Sequence, residues 1–257
     1  MTKLYYISPS LFLLAFFLLV TSCSSTSGLE EGEQLYTGLK KINYADFKSD
    51  THSEYVKAEV EAALAAAPNG ALLGSSYYRT PFQLRLWIWN AFHSDSTALG
   101  RWLTRSFGRA PILMSHVNPA LRASVAQSVL QKHGYFQGRV DYSCITGRNP
   151  KKGKIQYEVA FNRLYTFDTI RYLNFPPEAE QIIARSMSST LLHQGDAFDV
   201  SVLDKERQRI STLFRDSGFY YYQPGYSSYF ADTVSIPGKV QVHLQMADSI
   251  PEKARHK

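Results

Sequence analysis

Three features of the sequence predict an α+β fold of two small modules, each of order strand–helix–helix–strand–strand. Gly195–Asp232 reads as a capped amphipathic helix, a glycine stop and an aromatic strand. Leu203, Ile210, Leu213 and Phe214 share one helical face, and Gly218 stands where a left-handed residue ends a helix. Val240, Val242, Leu244 and Met246 alternate with Gln241, His243 and Gln245, as a half-buried strand requires. The same plan occurs twice. VLQKHGYFQGRVDYS (Val129–Ser143) precedes GKIQYEVAF (Gly153–Phe161), and LFRDSGFYYYQPGYSS (Leu213–Ser228) precedes GKVQVHLQM (Gly238–Met246). Gly134 and Gly218 lie 84 residues apart, and Gly153 and Gly238 lie 85 apart. That spacing predicts a duplicated module, a three-stranded sheet backed on one face by two helices, rather than one large core.

Composition permits one or two globular domains: 257 residues, 44% hydrophobic and 19% charged. The net charge of +6 is spread along the chain, without the clustered basic stripe of a nucleic-acid binder. An anionic membrane surface fits the same mild excess.

The N-terminus is an export signal, residues 1–22. Lys3 supplies its positive region and Leu11–Val20 its apolar core. Ser8, Pro9 and Ser10 leave too short an apolar run to span a bilayer. Val20-Thr21-Ser22-Cys23 resembles a lipobox, which predicts an acylated Cys23 as first residue of the mature chain and palmitate among its acyl groups. An ordinary secretory peptide cut nearby is the other reading. A multiply acylated cysteine holds a protein on a membrane where a single chain holds only marginally. Cys144, the other cysteine, then has no intramolecular partner, and its place on a strand predicts packing rather than reactivity.

Residues 23–34 form a polar linker. Leu35–Tyr44 is the first strand. Ser53–Ala67, rich in Ala and Glu, is a helix ended by Pro68-Asn69-Gly70. Residues 71–114 are an insertion dense in Trp, Phe and Leu. It either packs on its module or places Trp87 and Trp89 at a membrane interface, and the lack of a massed basic face favours packing. Asn118-Pro119 starts a helix whose apolar stripe is Leu121, Val125 and Val129, stopped by Gly134. Tyr135–Ile145 and Ile155–Phe161 form a hairpin about the basic turn Gly147–Gly153. The first module thus spans 35–162 and the second 163–247, with 248–257 a tail or the start of another module. In the second, Leu164–Tyr172 is a strand. A helix follows with Ile183, Met187 and Leu191 at four-residue spacing. The helix after Gly195 is capped either by a Ser201–Asp204 box or by Asp199.

Side-chain chemistry is sparse. No H-E-x-x-H, G-x-S-x-G, C-x-x-C, Walker A or G-x-G-x-x-G motif occurs, and the seven histidines are dispersed without ligand spacing. Neither a metal nor a cofactor is predicted, and no catalytic residue is. Lys205–Arg209 reads as a solvated helix face. Backbone chemistry remains. Pro224 cannot donate to a ladder, so Tyr220–Phe230 is an edge strand or carries a bulge. Its edge can pair with an extended partner flanked by Tyr220, Tyr222, Tyr226 and Tyr229, unless these tyrosines fill the core.

GEQLYTGLKKI (Gly32–Ile42), KHGYFQGRV (Lys132–Val140), YTFDTI (Tyr165–Ile170), GDAFDVSVLDKERQRISTLFRDSGFYYY (Gly195–Tyr222) and YFADT (Tyr229–Thr233) resemble POTRA domains of the BamA/TamA family. With Cys23, the likeness extends to that family's lipoprotein members of the TamL type, the translocation and assembly module lipoproteins of Bacteroidota. The resemblance implies mixed three-stranded sheets and a periplasm-facing, outer-membrane-anchored module. It further implies strand addition to nascent outer-membrane proteins or a TamB-like partner, no enzymatic activity, and the Tyr220–Phe230 strand as the augmented edge. Such proteins continue into further modules and a barrel, so a sequence ending at Ile250–Lys257 reads as truncated. A second reading is a lipid-tethered ligand-binding protein or hydrolase with a pocket in the 71–114 insertion. A structural spacer is a third.

Overall fold

In the computed structural model the described residues are 25–256. The expected signal peptide and Cys23 therefore lie outside them. The fold is α+β. Six strands, β1 (Leu35–Ala45), β2 (Arg139–Thr146), β3 (Lys152–Ala160), β4 (Thr166–Leu173), β5 (Ser227–Asp232) and β6 (Lys239–Met246), make two three-stranded sheets of order β1-β3-β2 and β4-β6-β5. In both, the last strand of the sheet enters between the first two. The helices are α1 (Thr51–Leu64), α2 (Leu84–Phe92), α3 (Ala98–Phe107), the single turn α4 (Met114–Val117), α5 (Pro119–Lys132), α6 (Pro177–Arg185) and α7 (Val200–Asp216).

The chain divides into two compact units. One takes the described part of Met1–Asn43 with Leu64–Ala123 and Asp141–Glu158; the other takes Tyr44–Ala63, Ser124–Val140 and Val159–Lys257. In the first unit, Leu29, Leu35, Leu86 and Leu113 form a small core. Gly38 on β1 has φ +111°, and a Cβ there would lie 2.7 Å from the Ser76 carbonyl oxygen, which accepts from the Leu39 N–H at 2.8 Å. Only glycine allows that approach.

The second unit carries a mixed sheet: β4 runs parallel to β6, and β5 antiparallel. Val240, Val242, Leu244 and Met246 are all buried. Val240 and Val242 pack with Phe167, Phe198 and Leu203, and Leu244 and Met246 with Ile183, Ile210, Phe214 and Tyr222. The helices α6 and α7 thus cover one face, as the alternation along β6 dictates.

Several elements differ from the sequence expectation. Tyr135 opens no strand: Gly134 has φ +87°, a turn closes from the Gly138 N–H to the Tyr135 carbonyl at 2.8 Å, and β2 begins at Arg139. Along α5 the buried stripe is Ala123, Ala126 and Leu130, while Leu121 and Val125 are exposed. Two stripes compete there, and alanines permit the closer approach that apolarity alone does not reveal. The α6 helix stops at Arg185, leaving Met187 and Leu191 outward and Leu192 buried. Cys144 is exposed on β2 rather than packed. Asp199, not Ser201, caps α7, its side chain accepting from the Ser201 N–H at 2.7 Å.

Candidate functional site

The strand β5 is shorter than expected and lies at an edge. Gln223–Tyr226 is turn and 3₁₀ structure because Pro224-Gly225 cannot propagate a ladder, so pairing starts at Ser227. From there the register with β6 is regular, Ser227 opposite Met246 through Asp232 opposite Gln241. The Ala247 N–H donates to the Tyr226 carbonyl at 2.9 Å, which makes that pair a hydrogen-bonded one. Antiparallel pairing alternates. Ser228, Phe230 and Asp232 therefore turn their backbone groups to β6, and Tyr229 and Ala231 turn theirs away. Among the described residues nothing pairs with that outer edge.

The four tyrosines separate. Tyr220 precedes the strand and is 76% exposed. Tyr222 is buried in the core, edge-on to Phe214 at 4.8 Å, with its hydroxyl donating to Ser227 Oγ at 2.8 Å. Tyr226 ends the 3₁₀ turn, half-buried against the same cluster. Only Tyr229 lies on β5, and it faces the helices: its ring packs on both core clusters and its hydroxyl is buried without a partner. Burial raises the pKa of that hydroxyl, so it stays neutral. Tyr222, Tyr226 and Tyr229 are thus the scaffold of this edge rather than its rim. The side chain that rims it is Phe230, exposed on the other face opposite His243.

A buried ion pair holds the helix layer under this edge. Glu206 on α7 is fully buried. Its carboxylate accepts from the Tyr172 hydroxyl at 3.0 Å, Thr190 Oγ1 at 3.1 Å, the Leu191 N–H at 3.0 Å, and Arg209 at 2.6 and 2.8 Å. Burial acts to raise the Glu206 pKa, but the hydrogen bonds from Arg209 and Leu191 outweigh it and hold the carboxyl below its ordinary value. The expected solvated face Lys205–Arg209 is corrected on this point: its second residue anchors the core. The sequence signal was available in the spacing, since Leu203, Glu206, Ile210 and Phe214 follow one helical stripe.

A second charged cluster was also missed. His133, at the end of α5, is buried with Nδ1 2.9 Å from Asp199 Oδ2 and Nε2 2.9 Å from Glu59 Oε2. Each ring nitrogen thus faces a carboxylate oxygen. The side chains come from three distant segments, so no local motif marks them. The cluster ties the end of α5 to the start of α7 and to α1 through hydrogen bonds.

The other edge, β4, is partly covered. Phe167 N–H donates to Asp196 at 2.9 Å, and its carbonyl accepts from Gly195 at 2.8 Å. A register shift between Phe167 and Ile170 disturbs the rest. Beside it runs an open groove of about 450 Å³ lined by Ile170, Tyr172, Ile183 and Met187 among others. In the first unit, clefts of about 390 and 420 Å³ involve the 71–114 segment; Arg79, Trp87 and Lys152 line one, and Gln83 and Arg109 the other. Neither is lined by a histidine or carboxylate, the pair a hydrolytic reading asks for.

No protein-family model matches the chain, and no curated protein matches its sequence. Among solved structures it is similar to BamA POTRA3-5 of Haemophilus influenzae, at 10% identity and TM-score 0.39 over 86% of this chain and 69% of that one. It is also similar to POTRA1-2 of the periplasmic domain of Omp85 from Anabaena, at 11% identity and TM-score 0.34 over 86% and 98%. CdiB from Escherichia coli is similar at 10% identity and TM-score 0.28, over 98% of this chain and 37% of that one.

Proposed function

We propose that the chain is a periplasm-facing, POTRA-type module of an outer-membrane protein assembly or translocation factor. In this reading it belongs with the TamL-type lipoproteins of the BamA/TamA family and is held at the outer membrane by acylated Cys23. It is not an enzyme. Extended segments of nascent outer-membrane proteins, or of a TamB-like partner, add as a strand along β5.

The observation that carries the reading is the unpaired outer edge at Tyr229 and Ala231, two residues offering both N–H and C=O on a sheet whose other edge is partly covered. The sequence motifs and the mixed β4-β6-β5 sheet support the choice of module.

Ala231→Pro tests it. The ring removes an outward N–H and leaves the ladder to β6 in place, which an edge strand tolerates. Capture of an unfolded barrel protein by a photocrosslinker at Phe230 is expected to fall about tenfold, the equivalent of about 1.4 kcal/mol, with thermal stability little changed. Absence of any adduct from Phe230, or capture indifferent to Ala231→Pro, defeats strand addition here. Mass spectrometry of the mature N-terminal peptide tests acylation of Cys23 independently.

A further inference from the structure

We propose that the 71–114 segment carries a second, side-chain-based surface that docks on an anionic lipid bilayer. Its hairpin closes with the Leu72 N–H on the Tyr78 carbonyl at 3.0 Å and an Ala71–Arg79 bridge, and its tip is Leu72-Leu73-Gly74. Leu73 is 100% exposed and sits in the left-handed region at φ 50°, a conformation that disfavours a branched apolar side chain and gains no packing here. Tyr78 and Leu84 are exposed nearby in sequence, and on α3 Leu99 and Trp102 lie three residues apart, both exposed. Isolated apolar side chains on a surface need no explanation; this many within one segment mark an interaction face.

Charge selects the occupant. Between residues 71 and 114 there are five arginines and one acid, Asp95, with no Lys or Glu. Arg85, Arg101, Arg105 and Arg109 are exposed in the same segment. Apolar tips, interfacial aromatics and arginines together are the composition of a surface that meets anionic headgroups. All three tryptophans of the chain, Trp87, Trp89 and Trp102, lie here, the residue type favoured at that interface.

Position points the same way, resting here on the acylated Cys23 proposed above. Leu29 is buried with Leu86 of α2, and its carbonyl accepts from Lys151 Nζ at 3.2 Å. Ser25 lines a cleft with Arg79 and Trp87. Two residues span at most about 7 Å, so an acyl anchor at Cys23 brings this segment to the lipid surface. The surface chemistry does not depend on that anchor.

The test uses the mature chain with Cys23→Ser, which removes the acyl group, and vesicles of phosphatidylethanolamine and phosphatidylglycerol. It is expected to float with the vesicles at low salt, to lose binding at high salt, and to show tryptophan quenching by brominated acyl chains. Leu72→Glu/Leu73→Glu and Arg101→Glu/Arg105→Glu are each expected to weaken partitioning about tenfold or more, and Phe230→Glu to leave it unchanged. These positions are exposed, and circular dichroism confirms that each variant is folded. No flotation, or flotation equal on phosphatidylcholine and indifferent to both double variants, overturns the proposal. So does a patch-dependent dimer in lipid-free solution without vesicle binding, which assigns the face to a second copy. An unmodified Cys23 in the wild-type protein together with patch-dependent flotation removes the tether and upholds the docking surface.

Discussion

Glu206 shows how one side chain organises a helix layer. With no exposed surface and three partners besides Leu191, its removal leaves Thr190, Tyr172 and the guanidinium of Arg209 without their acceptor. Glu206→Ala is expected to cost about 3–5 kcal/mol in chemical denaturation, the range for breaking a buried ion pair. Asp199 has two duties, capping α7 through Ser201 and facing His133. Asp199→Ala is expected to cost more than the roughly 1 kcal/mol of an N-cap alone, and Asp199→Asn, which keeps the cap, less than Asp199→Ala. The cap at Asp199 was one of two that the sequence offered; its contact with His133 and the burial of Glu206 were not read there. A glutamate inside K-E-R-Q-R reads as solvated, and the partner of an N-cap aspartate that lies 66 residues upstream leaves no trace in local pattern.

At the scale of elements, alternation and glycine stops read correctly, and aromatic runs did not. Val240–Met246 and Ile155–Phe161 bury the residues their period assigns inward, and Gly134 and Gly218 take the positive φ their positions demand. Phe219–Tyr226, rich in the residues of strands, instead folds as a turn. Phe219 and Tyr222 serve the core against Phe214, and Pro224-Gly225 interrupts extension. β-propensity reports a fit to half-buried surface, which a core-lining turn satisfies equally. The edge assignment makes a direct expectation for amide exchange. The Phe230 N–H, bonded within the sheet, exchanges slowly, and those of Tyr229 and Ala231, turned outward, exchange fast. Protection at Tyr229 and Ala231 equal to that of Phe230 would mean that the edge is covered.

For the whole molecule, the repeat in the sequence finds its counterpart in two sheets of the same strand order. The compact units do not follow the module boundaries read from sequence, because residues 44–63 and 124–140 group with the second sheet's segment. Spacing reveals duplication; it does not reveal where contacts are densest. Among the carboxyls of the second unit, Glu59, Asp199 and Glu206 sit below their ordinary values. The Tyr55 hydroxyl is the main cause at Glu59, and hydrogen bonds that outweigh burial are the cause at the other two. A carboxyl depressed on folding contributes stability that is complete above its unfolded pKa and lost as pH falls through the folded one. Stability is therefore expected to hold above about pH 5 and to decline progressively below about pH 4.5. The decline should flatten in Glu206→Gln. A melting temperature unchanged down to pH 3 would contradict this assignment.

The central place of β6 fixes an order of events. Because β4 and β5 each pair with β6 and not with one another, neither has a sheet to join until β6, the last of the three in sequence, is in place. Some 73 residues separate Thr166 from its neighbour Lys239, and closing so long a loop is slow. Until that loop closes, the chain displays two lone strands whose backbone groups are unpaired on both sides.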